Sequence, residues 1–340
     1  MTFLGACRPT TEGQDTSPSV IRSALQEGEV VIYANTDVTG PIVEGFERRF
    51  PGMKARFVEV TSSKLQQAIQ AEAKTGAGVA DLIWSSSMDI QIKLINDGYA
   101  QAYRSKEADD LPPWAVWRNQ GFGITAEPIV FAYNKRLLKP EDVPRTHAAL
   151  LEALQANPDR WRGKIAVYDA EASGVGLMYL SADTQIYPDA WSLMSEIGES
   201  EPSLDVAGGV ILGKLDTGER LLAYNMNAFY ARWWSEHRNP DVAYVTPEDY
   251  HLSISRVAFI PRYAPHPNAA RLFLDYLISE EGQATLKKAG FTPVREGGAE
   301  TTGARPIRVG PALLANLDQA RRASLLSDWR TRMRPGSNGD

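Results

Sequence analysis

The chain has 340 residues, of which 43% are hydrophobic, 9% aromatic and 23% charged, a globular mixture long enough for two cores rather than one. Its 36 basic and 42 acidic residues give a net charge of −6, which argues against a nucleic-acid-binding field and leaves anion binding to local dipoles. No run of about 18 apolar residues occurs, so no transmembrane helix is expected.

Leu4-Gly5-Ala6-Cys7 reads as a lipobox, the small-residue cleavage site whose cysteine becomes lipid-modified, although the segment before it is shorter than a full signal peptide. Cys7 is the sole cysteine, which excludes a disulfide framework within the chain. Residues 8–19 are almost all Thr, Ser, Pro, Gly and charged residues, which suits a tether. Residues 1–18 are therefore assigned to a signal remnant and tether. The expected address is the periplasmic face of a bacterial inner membrane.

A helical turn at 19–27 leads to a strand at 29–34 that ends in Asn35-Thr36-Asp37. Pro41 suits the start of the next helix, whose Ile42, Val43, Phe46 and Phe50 share a face before Phe50-Pro51-Gly52 stops it. A strand at 54–60 and a helix at 63–75 follow. The pattern then repeats, with a strand at 80–84 and three serines, Ser85, Ser86 and Ser87. Ser86 or Ser87 caps a helix with Met88, Ile92 and Ile95 on one face. A third strand at 164–168 leads to Ser173-Gly174-Val175-Gly176 and an apolar helix at 177–182. Such units predict an α/β protein with mixed, largely parallel sheets.

In the C-terminal third a helix at 206–217 precedes Tyr224 and Asn225. Residues 253–261, SISRVAFIP, read as one alternating strand that stops at proline. Helices are expected at 268–277, from Ser279 to Gly290, and as one basic amphipathic element over 313–333.

A helix start presents unpaired N–H groups and about half a positive charge, so several starts facing one crevice make an anion site without lysine. The serines fit either helix capping or contact with a ligand. Chemistry that transforms a substrate has little support. His147, His237, His251 and His266 are scattered, lack metal-ligand spacing and read as surface or loop residues. No GxSxG elbow occurs, and Gly121 to Ala126 fits GxGxxA only superficially, because Glu127-Pro128 follows instead of a helix.

With these features in place, the chain resembles the family 1 extracellular solute-binding proteins of ABC importers over residues 27–296. The most specific segment is PRYAPHPNAARLFLDYLISEEGQ, residues 261–283. SSSMDIQ, YDAEASGVG, LLAYN and DYHLSISRVAFIP are most similar to the ferric-iron-type branch, which also contains binders of sugar phosphates and phosphonates. The resemblance implies a two-lobed periplasmic-binding-protein fold of type II, with crossing strands, a ligand between the lobes and hinge closure. Residues 122–134 and 255–261 are the candidate crossings. The division drawn is residues 26–125 plus 255–290 for lobe 1 and residues 126–254 plus 291–333 for lobe 2.

Ferric-binding relatives use an adjacent tyrosine pair with a histidine and a carboxylate. Here the corresponding stretch is Tyr224-Asn225-Met226-Asn227-Ala228-Phe229-Tyr230, and no histidine precedes residue 147. The anion half of that site is kept as Ser173-Gly174-Val175. The expected function is therefore the binding component of an ABC importer, capturing a small anion such as a phosphorylated sugar or a phosphonate. A ferric-ion binder is the alternative, together with an enzyme or a ligand sensor on the same scaffold.

Thr36, Asp37, Ser85, Ser86 and Ser87 are expected on one wall, and Ser173, Gly174, Val175, Tyr224 and Asn225 on the other. The helix starts at Ser87 and Ser173 are assigned to the anion, and Asp37 and Asn225 to hydroxyl or amine groups. Arg256 is either a charged fork for the anion or a lobe-surface arginine, and Tyr230 either a ligand wall or core packing. No catalytic residue, cofactor or resident metal is assigned. The partners expected are the ligand and the permease subunits, with membrane contact through the lipid anchor on Cys7 only, no nucleic acid, and a monomeric state.

Overall fold

The computed structural model describes residues 18–36, 39–295 and 302–334. Its strands in chain order are β1 (Glu29–Ala34), β2 (Lys54–Glu59), β3 (Leu82–Ser85), β4 (Val116–Trp117), β5 (Gly121–Gly123), β6 (Glu127–Asn134), β7 (Ile165–Tyr168), β8 (Ser203–Asp205), β9 (Leu222–Asn227), β10 (Val242–Val245), β11 (His251–Ile254), β12 (Val257–Phe259) and β13 (Ala304–Pro306). Helices on the first sheet are α1 (Pro18–Glu27), α2 (Gly40–Arg49), α3 (Ser62–Thr75) and α4 (Met88–Asn96). Those that follow are α5 (His147–Ala156), α6 (Pro158–Trp161), α7 (Gly174–Ile186), α8 (Ala190–Glu199), α9 (Gly208–Thr217), α10 (Ala228–His237), α11 (Pro267–Ile278), α12 (Glu280–Lys288) and α13 (Gln319–Met333).

Two mixed sheets form. One runs β2-β1-β3-β12-β5-β4, with β1 parallel to both β2 and β3. The other runs β13-β11-β6-β9-β7-β8, with β7 parallel to β8 and β9, and with β10 paired to β6. Parallel pairing follows from the strand-helix order, because each helix carries the chain back over the sheet.

The two sheets share two strand pairs. β5 continues into β6 through residues 124–126, and β11 into β12 through Ser255-Arg256. The links bond to each other: Ile124 N donates to Arg256 O at 2.9 Å, and Arg256 N to Thr125 Oγ1 at 2.8 Å. A third passage lies alongside, where Ala126 N donates to Thr292 O at 2.9 Å. The stretch read as one alternating strand over 253–261 is thus two strands, and every residue in both is buried. Its alternation disappears because the segment is covered on both faces where it changes sheets. The GxGxxA look-alike is the other link.

Each sheet has its own core. Phe46, Trp84, Phe122 and Phe273 belong to the first, where Phe46 meets Phe273 edge-on at 4.8 Å. Helices α11 and α12 return the chain to this core after the crossing. Phe291 and Val294 pack there too, although the division drawn from sequence begins the second lobe's final segment at 291. The second sheet is covered on one side by a cluster containing Leu150, Leu193 and Trp329, and on the other by one containing Ile211, Leu215 and Ala231. The single basic helix expected at 313–333 is broken. A short 3-10 turn, Pro311–Asn316, precedes α13, and Asp318 caps α13 by accepting from Arg321 N at 2.8 Å.

Candidate functional site

Strands β7 and β8 both end at one cleft, and each hands the chain to a helix that starts there. After β7, Asp169 Oδ1 accepts from the amides of Glu171 and Ala172 at 2.8 and 3.2 Å, and Asp169 O from Ser173 N at 2.7 Å. That tight turn delivers Ser173 as the cap of α7, its Oγ accepting from Gly176 N at 3.3 Å. Among the described residues, the next two amides, Gly174 and Val175, have no acceptor. Helix α9 begins similarly at Gly208-Gly209 and has no side-chain cap. Val210 and Ile211 bond to Ala207 O, while the amides of Gly208 and Gly209 have no acceptor among the described residues. Ser173, Val175, Gly208 and Gly209 all line the cleft, so two helix dipoles turn their positive ends toward one space.

Three phenols face the same space. Tyr168, the last residue of β7, holds its hydroxyl against the start of α9, where a Cβ on Gly208 would lie 2.6 Å from it. Tyr179 on α7 meets Tyr168 edge-on at 6.0 Å and is 2% exposed. Neither hydroxyl has a hydrogen-bond partner among the described residues. Burial pushes both phenols well above their ordinary range, so they remain neutral. Tyr230, on the first turn of α10, sets its hydroxyl 3.4 Å from Arg256 Nη2.

Behind Tyr230 lies a buried ion pair. Arg256 Nε bonds Glu127 Oε1 at 2.8 Å, and Glu127 also accepts from Thr125 Oγ1 at 2.9 Å and from Asn227 Nδ2 at 2.8 Å. Asn227 spends its other end capping α10, Oδ1 accepting from Phe229 N at 2.8 Å. The guanidinium also lies over the rings of Phe291 and Phe229, at 4.9 and 5.5 Å, faces that stabilise a cation without hydrogen bonds. Burial disfavours its charge, but Glu127 and Tyr230 more than restore it. No carboxylate and no histidine occurs among the described lining residues, and no group of three metal-ligating side chains occurs among the described residues.

This architecture has known counterparts. Residues 42–304 match the family model described as a bacterial extracellular solute-binding protein. The chain belongs to that bacterial extracellular solute-binding protein family. The substrate-binding protein of an ABC transporter from Agrobacterium tumefaciens is 31% identical and superposes with a TM-score of 0.79, the match covering 92% of this chain and 97% of that one. AfuA from Actinobacillus pleuropneumoniae, solved with fructose-6-phosphate, shares the fold at 20% identity and a TM-score of 0.68, over 91% of this chain and 99% of that one. Among curated proteins, Iron uptake protein A1 of Synechocystis is 22% identical over 266 residues, 71% of this chain and 68% of that protein.

This solute-binding protein is therefore the two-lobed, extracytoplasmic binding component of an ABC importer. As a member of that family it binds a solute and is not an enzyme.

The residues singled out from its sequence fall in different places. Ser86, Ser173, Val175 and Tyr230 line the cleft together. Tyr224 and Asn225 do not; they turn into the second lobe's interior, where both donate to the buried carboxylate of Asp183. The strand expected to deliver them delivers Asn227 and Tyr230 instead, one turn further along. Arg256 is neither a surface residue nor an open fork, since it is 0% exposed and Glu127 occupies the fork.

On the other wall, Thr36 and Ser85 are buried, and Ser85 Oγ accepts from Ser87 N at 3.2 Å. Ser86 is tied to Asn35 in both directions, its amide donating to Oδ1 at 3.1 Å and its hydroxyl accepting from Nδ2 at 2.9 Å. Ser87 precedes α4 without a side-chain cap. The α4 start is served by the chain itself, Met88 N bonding Ser86 O at 3.0 Å and Ile90 N bonding Asp89 Oδ1 at 2.8 Å. That helix start, expected to hold the anion, thus already carries its own carboxylate. Asp37 and Cys7 lie outside the described residues. His147 and His251 are each 2% exposed rather than superficial; His147 stacks on Tyr250 at 4.0 Å and bonds Asp249 at 3.0 Å. The glycine start of α9 and the phenol of Tyr168 went unread. SLDVAGGVIL carries the same strand-glycine-helix signature as the α7 unit and was the available signal.

Proposed function

We propose that this importer component captures a small solute carrying a phosphate or phosphonate group. The observation that carries the reading is that the starts of α7 and α9 face one cleft with acceptor-free amides at both. Oxyanion oxygens accept from those N–H groups, and the Ser173 hydroxyl, whose lone pair is engaged by Gly176, has its proton to donate. Ser86 and Tyr230 supply polar contacts for the remainder of the solute. Closure of the lobes about residues 124–126 and 255–256 then excludes water from the site.

A ferric ion is a second reading, favoured by the convergence of Tyr168, Tyr179 and Tyr230 from separated positions. Hard trivalent iron is also suited by carboxylate ligands beside the phenols, however, and the described lining residues include none. Lipid anchoring through Cys7 and a monomeric state complete the proposal.

A thermal-shift screen of sugar phosphates, aminoalkyl phosphonates, carboxylates and Fe³⁺ tests it. A solute at 100 times its Kd adds about 2.7 kcal/mol to stability. Stabilisation by a phosphorylated or phosphonylated solute supports the reading. Stabilisation by Fe³⁺ alone overturns it in favour of the second.

A further inference from the structure

The Tyr168 hydroxyl rests against the beginning of α9, and only a residue without Cβ at position 208 leaves it there. A methyl at Gly208 would stand 2.6 Å from the phenol oxygen and 3.8 Å from the ring carbon that bears it, so the conflict is with the hydroxyl and not with the ring. That hydroxyl lines the cleft without a partner, next to two amides that also lack one. A second observation points the same way. Tyr179 is 2% exposed, lines the cleft and leaves its hydroxyl without a partner among the described residues. A phenol held in a buried residue but opening on the cleft is placed to donate to an oxyanion there.

We propose that Tyr168 is a ligand-binding residue that, with the α7 and α9 amides, forms a pole of donors selecting a fully ionised terminal oxyanion over its protonated form. The inference rests on the phosphate or phosphonate reading above. An oxyanion that keeps a proton needs an acceptor for it. Backbone amides offer none and the described lining residues include no carboxylate, which leaves only neutral hydroxyls as acceptors, while every donor bonds more strongly to the fully ionised group.

The charged groups around Tyr168 do not substitute. Asp205 on β8 is paired with Lys214 of α9 at 2.7 Å, Asp169 with Arg334 of the C-terminal segment at 3.3 Å, and Glu127 with Arg256 at 2.8 Å. Asp183, one turn along α7 from Tyr179, is already engaged, accepting from Tyr224, Tyr250 and Asn225. The neighbouring titratable side chains in the cleft, Tyr179 and Tyr230, are phenols.

The test is calorimetric titration of the full chain with fructose 6-phosphate, 2-aminoethylphosphonate and glucose 6-sulfate between about pH 5 and pH 8. The second phosphate ionisation lies near 6, so phosphate-ester affinity should rise about tenfold over that range while the sulfate ester, ionised throughout, stays level. Tyr168→Phe should weaken phosphate-ester binding about 10- to 100-fold at the upper pH. Gly208→Ala should weaken it similarly. The double variant should bind no worse than Tyr168→Phe alone, because removing the hydroxyl relieves the clash. Phosphate-ester binding that is level or strengthens as pH falls, or a Tyr168→Phe variant with unchanged affinity, overturns this inference while leaving oxyanion binding intact. Failure of all three probes to bind the unaltered chain overturns the phosphate and phosphonate reading itself, and this inference with it.

Discussion

Arg256 and Glu127 pair at 2.8 Å, both side chains buried, where the two strand links pass between the sheets. Arg256 stands on one link and Glu127 begins the strand that follows the other, so the pair ties the crossings together. It also touches the cleft through Tyr230. One hydrogen-bonded cluster therefore joins the strand crossings to the cleft wall. Truncating one partner leaves a desolvated charge behind, which costs about 3–5 kcal/mol. Glu127→Gln should lower unfolding stability by an amount in that range, and Glu127→Met with Arg256→Met together should cost less than the two changes added. Urea denaturation of the unaltered chain, Glu127→Gln, the two single Met variants and the double Met variant measures this, and strict additivity of the Met changes would contradict the coupling.

Ser173 has two separable duties. As the cap of α7 it satisfies Gly176 N, and its loss in Ser173→Ala should cost about 1 kcal/mol of stability. Its free proton points to a second cost, in affinity for a phosphate ester. Ser173→Asn, a competent cap of different shape, should recover stability without recovering affinity. Melting curves and titrations on both variants separate the duties, and parallel recovery of the two quantities speaks against a ligand contact.

Asp183 sets a pH signature of the second lobe. Burial holds its carboxyl above the ordinary value of 3.8, against the pull of His147, Asn225, Tyr224 and Tyr250. A carboxyl raised on folding binds its proton more tightly in the native state than in the unfolded chain. Its contribution is therefore fully present below the unfolded value and is lost as pH rises through the higher folded value. The stability of the protein relative to Asp183→Asn should accordingly shrink as pH rises across that window. Paired denaturation curves at several pH values check the sign; a difference that grows with pH contradicts it.

Much of this architecture was legible in the residues. Strand-helix order gave the α/β class, and β1 lies where its apolar run placed it. Ser173 caps α7 as its position before two glycines and an apolar helix implied. The failures have physical causes. Tyr224 and Asn225 stand on a strand whose every residue is buried, so no alternation revealed which side faces the cleft. Arg256 read as either a ligand fork or a surface arginine because its partner is 129 residues away and invisible to local pattern. The α4 start read as an open dipole, yet Asp89, one residue inside the helix, serves it. Tyr168 is brought to Gly208 by the pairing of β7 with β8, a contact that no sequence spacing encodes.

The central claim is that two helix starts grip one oxyanion. Backbone amide resonances of Val175, Gly208 and Gly209, followed by NMR while fructose 6-phosphate or 2-aminoethylphosphonate is added, test it most directly. The account predicts that all three move together, with one midpoint, toward the positions typical of amides bonded to anions. Shifts confined to the first lobe's serines or to Tyr224 and Asn225, with those three amides unmoved at saturation, would contradict it.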